Sequence, residues 1–245
     1  MNIFHIFVLT SVSASAATSS ITFWGYDQSA GSTPYYSHYQ VFNADPETPI
    51  ASIDLYDAGW GFHTTGNSSA HIMASIDNQY ANSGQARSAG WHKFEMHFND
   101  ITMTGSLLVD GNTIRSGTYS SNPTGFRFMF HNSFGGVQET VIDDFQYWIN
   151  GNLVYQQDFE SSTLDSGWSI ERLDSGTYIT SGDTSNPHSG TGSLALGDSV
   201  AGASANIITF DLTSVPEPST SLLGLVATLT LSFRRNRPKQ SMKNG

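Results

Sequence analysis

The fold is decided by the stretch GWHKFEMHFN at residues 90–99, where large apolar side chains recur at every second position. Phe94, Met96 and Phe98 would point to one side of an extended strand, and the charged or polar residues between them to the other. This period of two is typical of a β-strand with one face in a hydrophobic core.

The same alternation recurs elsewhere, and helical periodicity does not. The Asn-Gly pair at 150–151 predicts a type I′ hairpin turn, and Asp110-Gly111-Asn112 predicts a second tight turn. Many short strands separated by Gly, Asn and Ser predict an all-β, antiparallel sandwich. Strands are expected at residues 37–43, 50–57, 91–99, 107–109, 125–131, 141–148 and 153–159.

Charge is unevenly distributed along the 245 residues. Five of the ten basic residues follow the last apolar run. Residues 17–214 hold the other five and 20 of the 21 acidic residues, so they carry a net charge of −15. Such a surface repels nucleic acid and anionic lipid. Because the chain has no cysteine, disulfides and thiolate metal sites are excluded.

Both ends of the chain carry targeting patterns. An apolar run followed by Ala14-Ser15-Ala16 predicts a signal peptide over residues 1–16, with a buried first strand as the alternative. At the other end, Pro216-Glu217-Pro218 precedes an apolar run and then Arg234 and Arg235. We predict a short transmembrane helix over residues 220–233 with a cytoplasmic basic tail.

The order of Pro-Glu-Pro, apolar run and Arg cluster resembles the PEP-CTERM sorting signal of Gram-negative bacteria, here over residues 215–245. The resemblance implies an exosortase and the inner membrane as partners during sorting. It also implies cleavage near Pro216, Glu217 and Pro218, and delivery to the cell surface or extracellular matrix. An ordinary C-terminal anchor is the alternative.

Three motifs resemble concanavalin-A-like and laminin-G-like jelly rolls: Gly90-Trp91-His92, the Val-Asp-Gly turn at 109–111, and Ile142-Asp143-Asp144. This implies a jelly-roll core over residues 17–149, with Trp91 packed inside. Two further motifs are Asp158-Phe159-Glu160 and SGTGSLAL at 189–196. In related modules such motifs come first, whereas here they follow the closing strand. Residues 150–214 therefore either complete the same sandwich or form a small second β unit.

The jelly-roll resemblance also implies a structural calcium ion, held by Asp143 together with Asp158 or Glu160. The alternative is that these acidic residues merely flank turns. A polysaccharide ligand would stack on aromatic rings in turn-rich stretches, for which the candidates are Tyr35, Tyr36, Trp60 and Tyr80.

Catalytic motifs are weak in the sequence. Glu139 and Asp143 share a strand face, but the second Glu of retaining jelly-roll glycosidases is absent. We therefore predict an exported, non-catalytic surface or matrix protein that binds polysaccharide. The alternatives are a purely structural or adhesive domain, which has no small ligand, and a divergent glycan hydrolase.

Overall fold

The computed structural model describes residues 18–28, 35–55, 71–132, 138–199 and 204–215. This part of the chain forms fifteen β-strands and one short 3-10 helix. The strands are β1 (Thr18–Asp27), β2 (Tyr35–Asn43), β3 (Asp45–Leu55), β4 (His71–Ile76), β5 (Gln79–Ala86), β6 (Gly90–Asn99), β7 (Thr104–Val109), β8 (Asn112–Thr118), β9 (Gly125–Asn132), β10 (Glu139–Ile149), β11 (Asn152–Gln157), β12 (Trp168–Leu173), β13 (Thr177–Asp183), β14 (Ser193–Asp198) and β15 (Ser204–Asp211), and the 3-10 helix is Leu212–Ser214.

The strands build two antiparallel sheets packed as a sandwich, which confirms the predicted fold class. One sheet has eight strands in the order β13-β14-β10-β1-β6-β7-β8, with β11 also paired to β10. The other has seven strands in the order β12-β15-β9-β2-β3-β4-β5. Within the described residues, no helix has the length and apolar character needed to cross a bilayer.

Residues 150–214 contribute strands to both sheets. In the eight-stranded sheet β14 pairs with β10, and in the seven-stranded sheet β15 pairs with β9. Leu194 and Phe210 of this segment belong to the same buried cluster as Phe23 and Phe128. The segment therefore packs around the core that the earlier strands form.

The core is rich in aromatic side chains. Along the strands they alternate with outward-facing residues, as predicted. Phe94, Met96 and Phe98 are all buried. Phe23 lies at its centre, with its ring centroid 4.8 Å from that of Tyr39 in an edge-to-face arrangement. Burial of each such side chain stabilises the fold by roughly 1.5–3 kcal/mol. Trp91 departs from its expected place, because it is only half-buried at the edge of Tyr26.

Two predicted turns are present. Asn150 and Gly151 both have positive φ, at 51° and 76°, and join β10 to β11. Asp110 and Gly111 show the same pair of angles between β7 and β8. Positive φ at both central positions is the requirement of a type I′ turn. The strand predicted over residues 153–159 is shorter than expected, because β11 ends at Gln157 and Asp158–Glu160 is not a strand.

Candidate active site on the outer face of the seven-stranded sheet

Strand alternation carries a row of polar side chains to the outer face of the seven-stranded sheet. Tyr39 and Val41 of β2 point into the core, so His38 and Gln40 point outward. On β3 the same alternation turns Ser52 outward. The residues that meet across the strands are His38 with Asp54, Gln40 with Ser52 and with Arg127, and Ser52 with Ser75. We call His38, Gln40, Ser52, Asp54, Ser75 and Arg127 the polar cluster.

Asp54 is the centre of the polar cluster. Its Oδ1 lies 2.8 Å from Nδ1 of His38, and its Oδ2 accepts a hydrogen bond of 2.9 Å from Oγ of Ser52. Ser52 donates its one hydroxyl proton to Asp54. Ser75, whose Oγ lies 3.0 Å from that of Ser52, therefore donates to the Ser52 oxygen. The result is a hydrogen-bonded chain that converges on one carboxylate.

Arg127 provides the positive charge of the polar cluster. Its Nε donates to Oε1 of Gln40 at 2.7 Å, and its Nη1 lies 3.9 Å from Oε1 of Glu171. The pairing with Gln40 joins residues that are 87 positions apart in the chain. Arg127 therefore lies between Gln40 of the polar cluster and the exposed carboxylate of Glu171 on β12.

Burial distinguishes the polar cluster from ordinary surface residues. Asp54 is 1% exposed and Arg127 is 5% exposed, although both project from the outer face of a sheet. Buried charges require partners, because desolvation without hydrogen bonds costs several kcal/mol. A satisfied polar network of titratable groups at low exposure is a frequent feature of functional sites.

Two of the aromatic residues proposed for glycan binding lie beside the polar cluster. The Tyr36 ring is buried, packs on Met73 and stacks between His38 and His131. Tyr80 is half-buried opposite Ser75, and burial together with the charge of Asp54 raises its pKa. The Tyr35 side chain and Trp60 lie outside the described residues, as do the sorting residues Pro216, Glu217, Pro218, Arg234 and Arg235.

The residues predicted to bind calcium meet a loop instead. Oδ2 of Asp143 accepts hydrogen bonds from the backbone N–H groups of His188 and Ser189, at 2.9 and 3.0 Å. Glu160 accepts from both the backbone N–H and the hydroxyl of Thr191. Both carboxylates therefore hold the loop at residues 188–191, Asp143 at its start and Glu160 at its end.

The groups around Asp143 differ from the predicted calcium ligands. Oδ1 of Asp143 is already bound by the N–H of Asp144 at 2.8 Å, so three N–H groups occupy the carboxylate. A group of three side chains with ligand atoms within 4.8 Å consists of Asp143, Asp144 and His188. Calcium prefers oxygen ligands, and here one of three donors is an imidazole nitrogen. Asp158, among the described residues, accepts the N–H of Glu160 at 3.3 Å.

The two carboxylates of the weak glycosidase motif have different partners. Glu139 accepts a hydrogen bond of 2.8 Å from the hydroxyl of Tyr178, whereas Asp143 is buried against the loop at residues 188–191. Sequence reasoning missed the polar cluster because its members come from four strands. The available signal was the alternation on β2 and β3, which places His38 and Gln40 of β2 and Ser52 and Asp54 of β3 on the same outward face.

No protein-family model and no curated protein matches this chain. Solved structures of scytalido-glutamic peptidase do resemble it. The complex with a transition-state analog inhibitor aligns at 12% identity and a TM-score of 0.38, covering 74% of this chain and 92% of the peptidase. The complex with a peptide-based transition-state analog aligns at 11% identity and a TM-score of 0.39, covering 77% and 93%.

The prediction of a non-catalytic protein, and with it the exclusion of an enzyme, is corrected by this finding, because both similar structures are of an enzyme. The physical reason for the error is that local motifs cannot reveal groups that converge only through strand pairing. At this level of similarity the peptidase's reaction does not transfer to the chain, so the chemistry must be argued from the chain's own residues.

Proposed function

We propose that the protein is a hydrolase of acyl bonds, with the polar cluster as its catalytic centre. The observation that carries the proposal is the buried Asp54 carboxylate, 2.8 Å from Nδ1 of His38. A carboxylate that accepts the Nδ1 proton fixes the tautomer in which Nε2 is the basic nitrogen. His38, whose side chain is 15% exposed, is then placed to act as a general base.

The proposed reaction needs water as its only co-substrate. Nε2 of His38 takes a proton from water while the water oxygen attacks the carbonyl carbon of an ester or amide. The tetrahedral oxyanion forms in the positive field of Arg127, and the imidazolium is stabilised by Asp54. When the C–O or C–N bond breaks, the imidazolium returns the proton to the leaving alcohol or amine, and a carboxylic acid remains.

The number of carboxylates in the polar cluster favours hydrolysis of acyl bonds over hydrolysis of glycosidic bonds. Among the residues that the structure describes, Asp54 is the one carboxylate in the polar cluster, and Glu171 lies beyond Arg127 at its edge. Glycosidases generally use two carboxylates on either side of the scissile bond. A single carboxylate paired with an imidazole is the arrangement of general-base hydrolysis.

The test uses the purified chain with p-nitrophenyl acetate as an ester probe and labelled casein as an amide probe. We expect Asp54→Asn and His38→Gln to lower kcat by about 10²–10⁴-fold, because each removes the oriented base. Glu95→Gln, on the opposite sheet, is the matched control and should retain the wild-type rate. Circular dichroism melting verifies that each variant is folded.

The proposal is overturned if neither probe is hydrolysed, or if Asp54→Asn keeps the wild-type rate while it is folded. Hydrolysis of the ester but not of casein would assign the activity to esters.

We also infer that the sandwich is of jelly-roll type and that the protein is exported through its C-terminal sorting signal. The two antiparallel sheets support the first inference. The order of Pro216-Glu217-Pro218, apolar run and Arg cluster supports the second. The intact mass of the mature protein tests the second inference, because retention of residues 234–245 would contradict cleavage near the Pro-Glu-Pro motif.

A further inference from the structure

A groove of about 560 Å³ crosses the outer face of the eight-stranded sheet, on the side of the sandwich opposite the polar cluster. One row of side chains runs along it through four strands, from Ser106 on β7 through His97 on β6 and Ser20 on β1 to Trp148 on β10. With strands about 4.8 Å apart, this row is about 14 Å long. The volume lies in the range of pockets that hold small organic ligands.

The groove results from the difference in size between its side chains. Ser20, Ser106 and Ser116 are small, so the surface is low along β1, β7 and β8. Trp148 lies at one end of the row, next to the tight turn at Asn150 and Gly151, and it is half-buried. The lining therefore combines one large indole with several small hydroxyl side chains.

The chemistry of the lining specifies a neutral, hydroxyl-rich ligand. The described residues that line the groove include no Asp, Glu, Lys or Arg, although residues 17–214 carry a net charge of −15. Their ionisable side chain is that of His97, whose Nε2 lies 3.8 Å from Oε2 of Glu95. Serine and threonine hydroxyls and the amide of Asn99 can both donate and accept hydrogen bonds. The flat face of Trp148 can pack against the C–H groups of a sugar ring.

We propose that this groove binds a neutral polysaccharide, with Trp148 as the stacking residue. An anionic polymer would meet no Lys or Arg in the described lining and would be repelled by the net negative charge of residues 17–214. The proposal does not rest on the catalytic role of the polar cluster, since the two sites lie on opposite sheets and share no residue. An enzyme with both sites would hold a glycan on one face and hydrolyse acyl bonds on the other.

Affinity gel electrophoresis of the full chain tests the proposal, with soluble β-glucan and xylan as neutral probes and alginate as an anionic probe. We expect at least one neutral polysaccharide, and not alginate, to retard the protein. Trp148→Ala should weaken this binding about tenfold or more, because stacking is lost. Ser106→Trp should also abolish it by filling the groove.

Trp24→Ala is the matched control, because Trp24 is a half-buried tryptophan of the same sheet that stacks on His188 outside the groove. Trp24→Ala should bind like the wild type. The measurement reports glycan binding and not hydrolysis, so failure of the catalytic proposal leaves this test unaffected. The proposal is overturned if no neutral probe retards the wild type, if alginate retards it equally, or if Trp148→Ala and Ser106→Trp bind unchanged.

Discussion

Two outward carboxylates, one on each sheet, differ in their surroundings, although the same alternation places both on an outer face. On the seven-stranded sheet the outer carboxylate Asp54 is 1% exposed in its side chain and bonds to His38 and Ser52. On the eight-stranded sheet the outer carboxylate Glu95 is 15% exposed and pairs with Lys93, whose side chain is 40% exposed. Alternation thus identifies which side chains point away from the core. Their solvent exposure depends on the residues packed around them.

The largest difference between the faces should appear when each carboxylate is removed. Asp54→Ala leaves the His38 and Ser52 donors without their acceptor in a buried place, so we expect a loss of about 3–5 kcal/mol in the free energy of unfolding. Glu95→Ala should cost about 1 kcal/mol or less, because its partner Lys93 is well solvated. Urea unfolding of both variants measures the difference, and equal losses would show that the two faces do not differ.

A smaller difference is expected for serine hydroxyls on the two faces. Ser52→Ala removes a donor to the Asp54 carboxylate and an acceptor for Ser75, which should cost about 1.5–3 kcal/mol. Ser106→Ala, on the open groove, should change the free energy of unfolding by about 0.5 kcal/mol or less. The same urea experiment applies. A loss for Ser106→Ala as large as that for Ser52→Ala would contradict the assignment of the groove as solvated surface.

The smallest effect concerns two histidines whose pKa values move in opposite directions. Burial, with the nearby charge of His38, lowers the pKa of His131 on β9 from its usual 6.5. His92 on β6 is desolvated too, but its hydrogen bonds to Asp110 and to the carbonyl of Ser88 outweigh this and raise its pKa.

The sign of the pH dependence follows from linkage. The folded pKa of His131 lies below 6.5, so stability is lost as pH falls below 6.5 towards that folded pKa, where the unfolded chain binds the proton more readily. His92 contributes fully below 6.5, and that contribution is lost as pH rises through its folded pKa. NMR titration of the histidine C–H signals, assigned with His92→Asn and His131→Asn, measures both shifts. His92 titrating below His131 would contradict the contrast.

Prediction from the sequence worked where the physical cause was local. The alternation in residues 90–99 placed Phe94, Met96 and Phe98 in the core, and the Asn-Gly pair formed its turn. It failed for Asp158–Glu160, which is not a strand, since Phe159 adopts a φ of 54° with its side chain fully buried. Burial of the Phe159 ring in the core therefore outweighed the local strand pattern at this position.

The candidate site was beyond local reasoning for a related cause. His38 and Asp54 are 16 residues apart, and Gln40 and Arg127 are 87 apart, so their contacts depend on the strand order β9-β2-β3. A shift of one residue in the register of β3 would turn Asp54 into the core and Ile53 out of it. Register is set by the whole sandwich and not by any motif near these residues.

By itself, the sequence determined the period of the strands, the tight turns, the acidic charge of residues 17–214 and the strong separation of charge at the C-terminal end. Each follows from neighbouring residues or from composition, which are independent of how the chain folds back on itself. Only the tertiary structure decided which outward side chains became a buried polar cluster and which became an open groove. That decision depends on strand order, register and packing, which bring together side chains far apart in the chain and set their access to water.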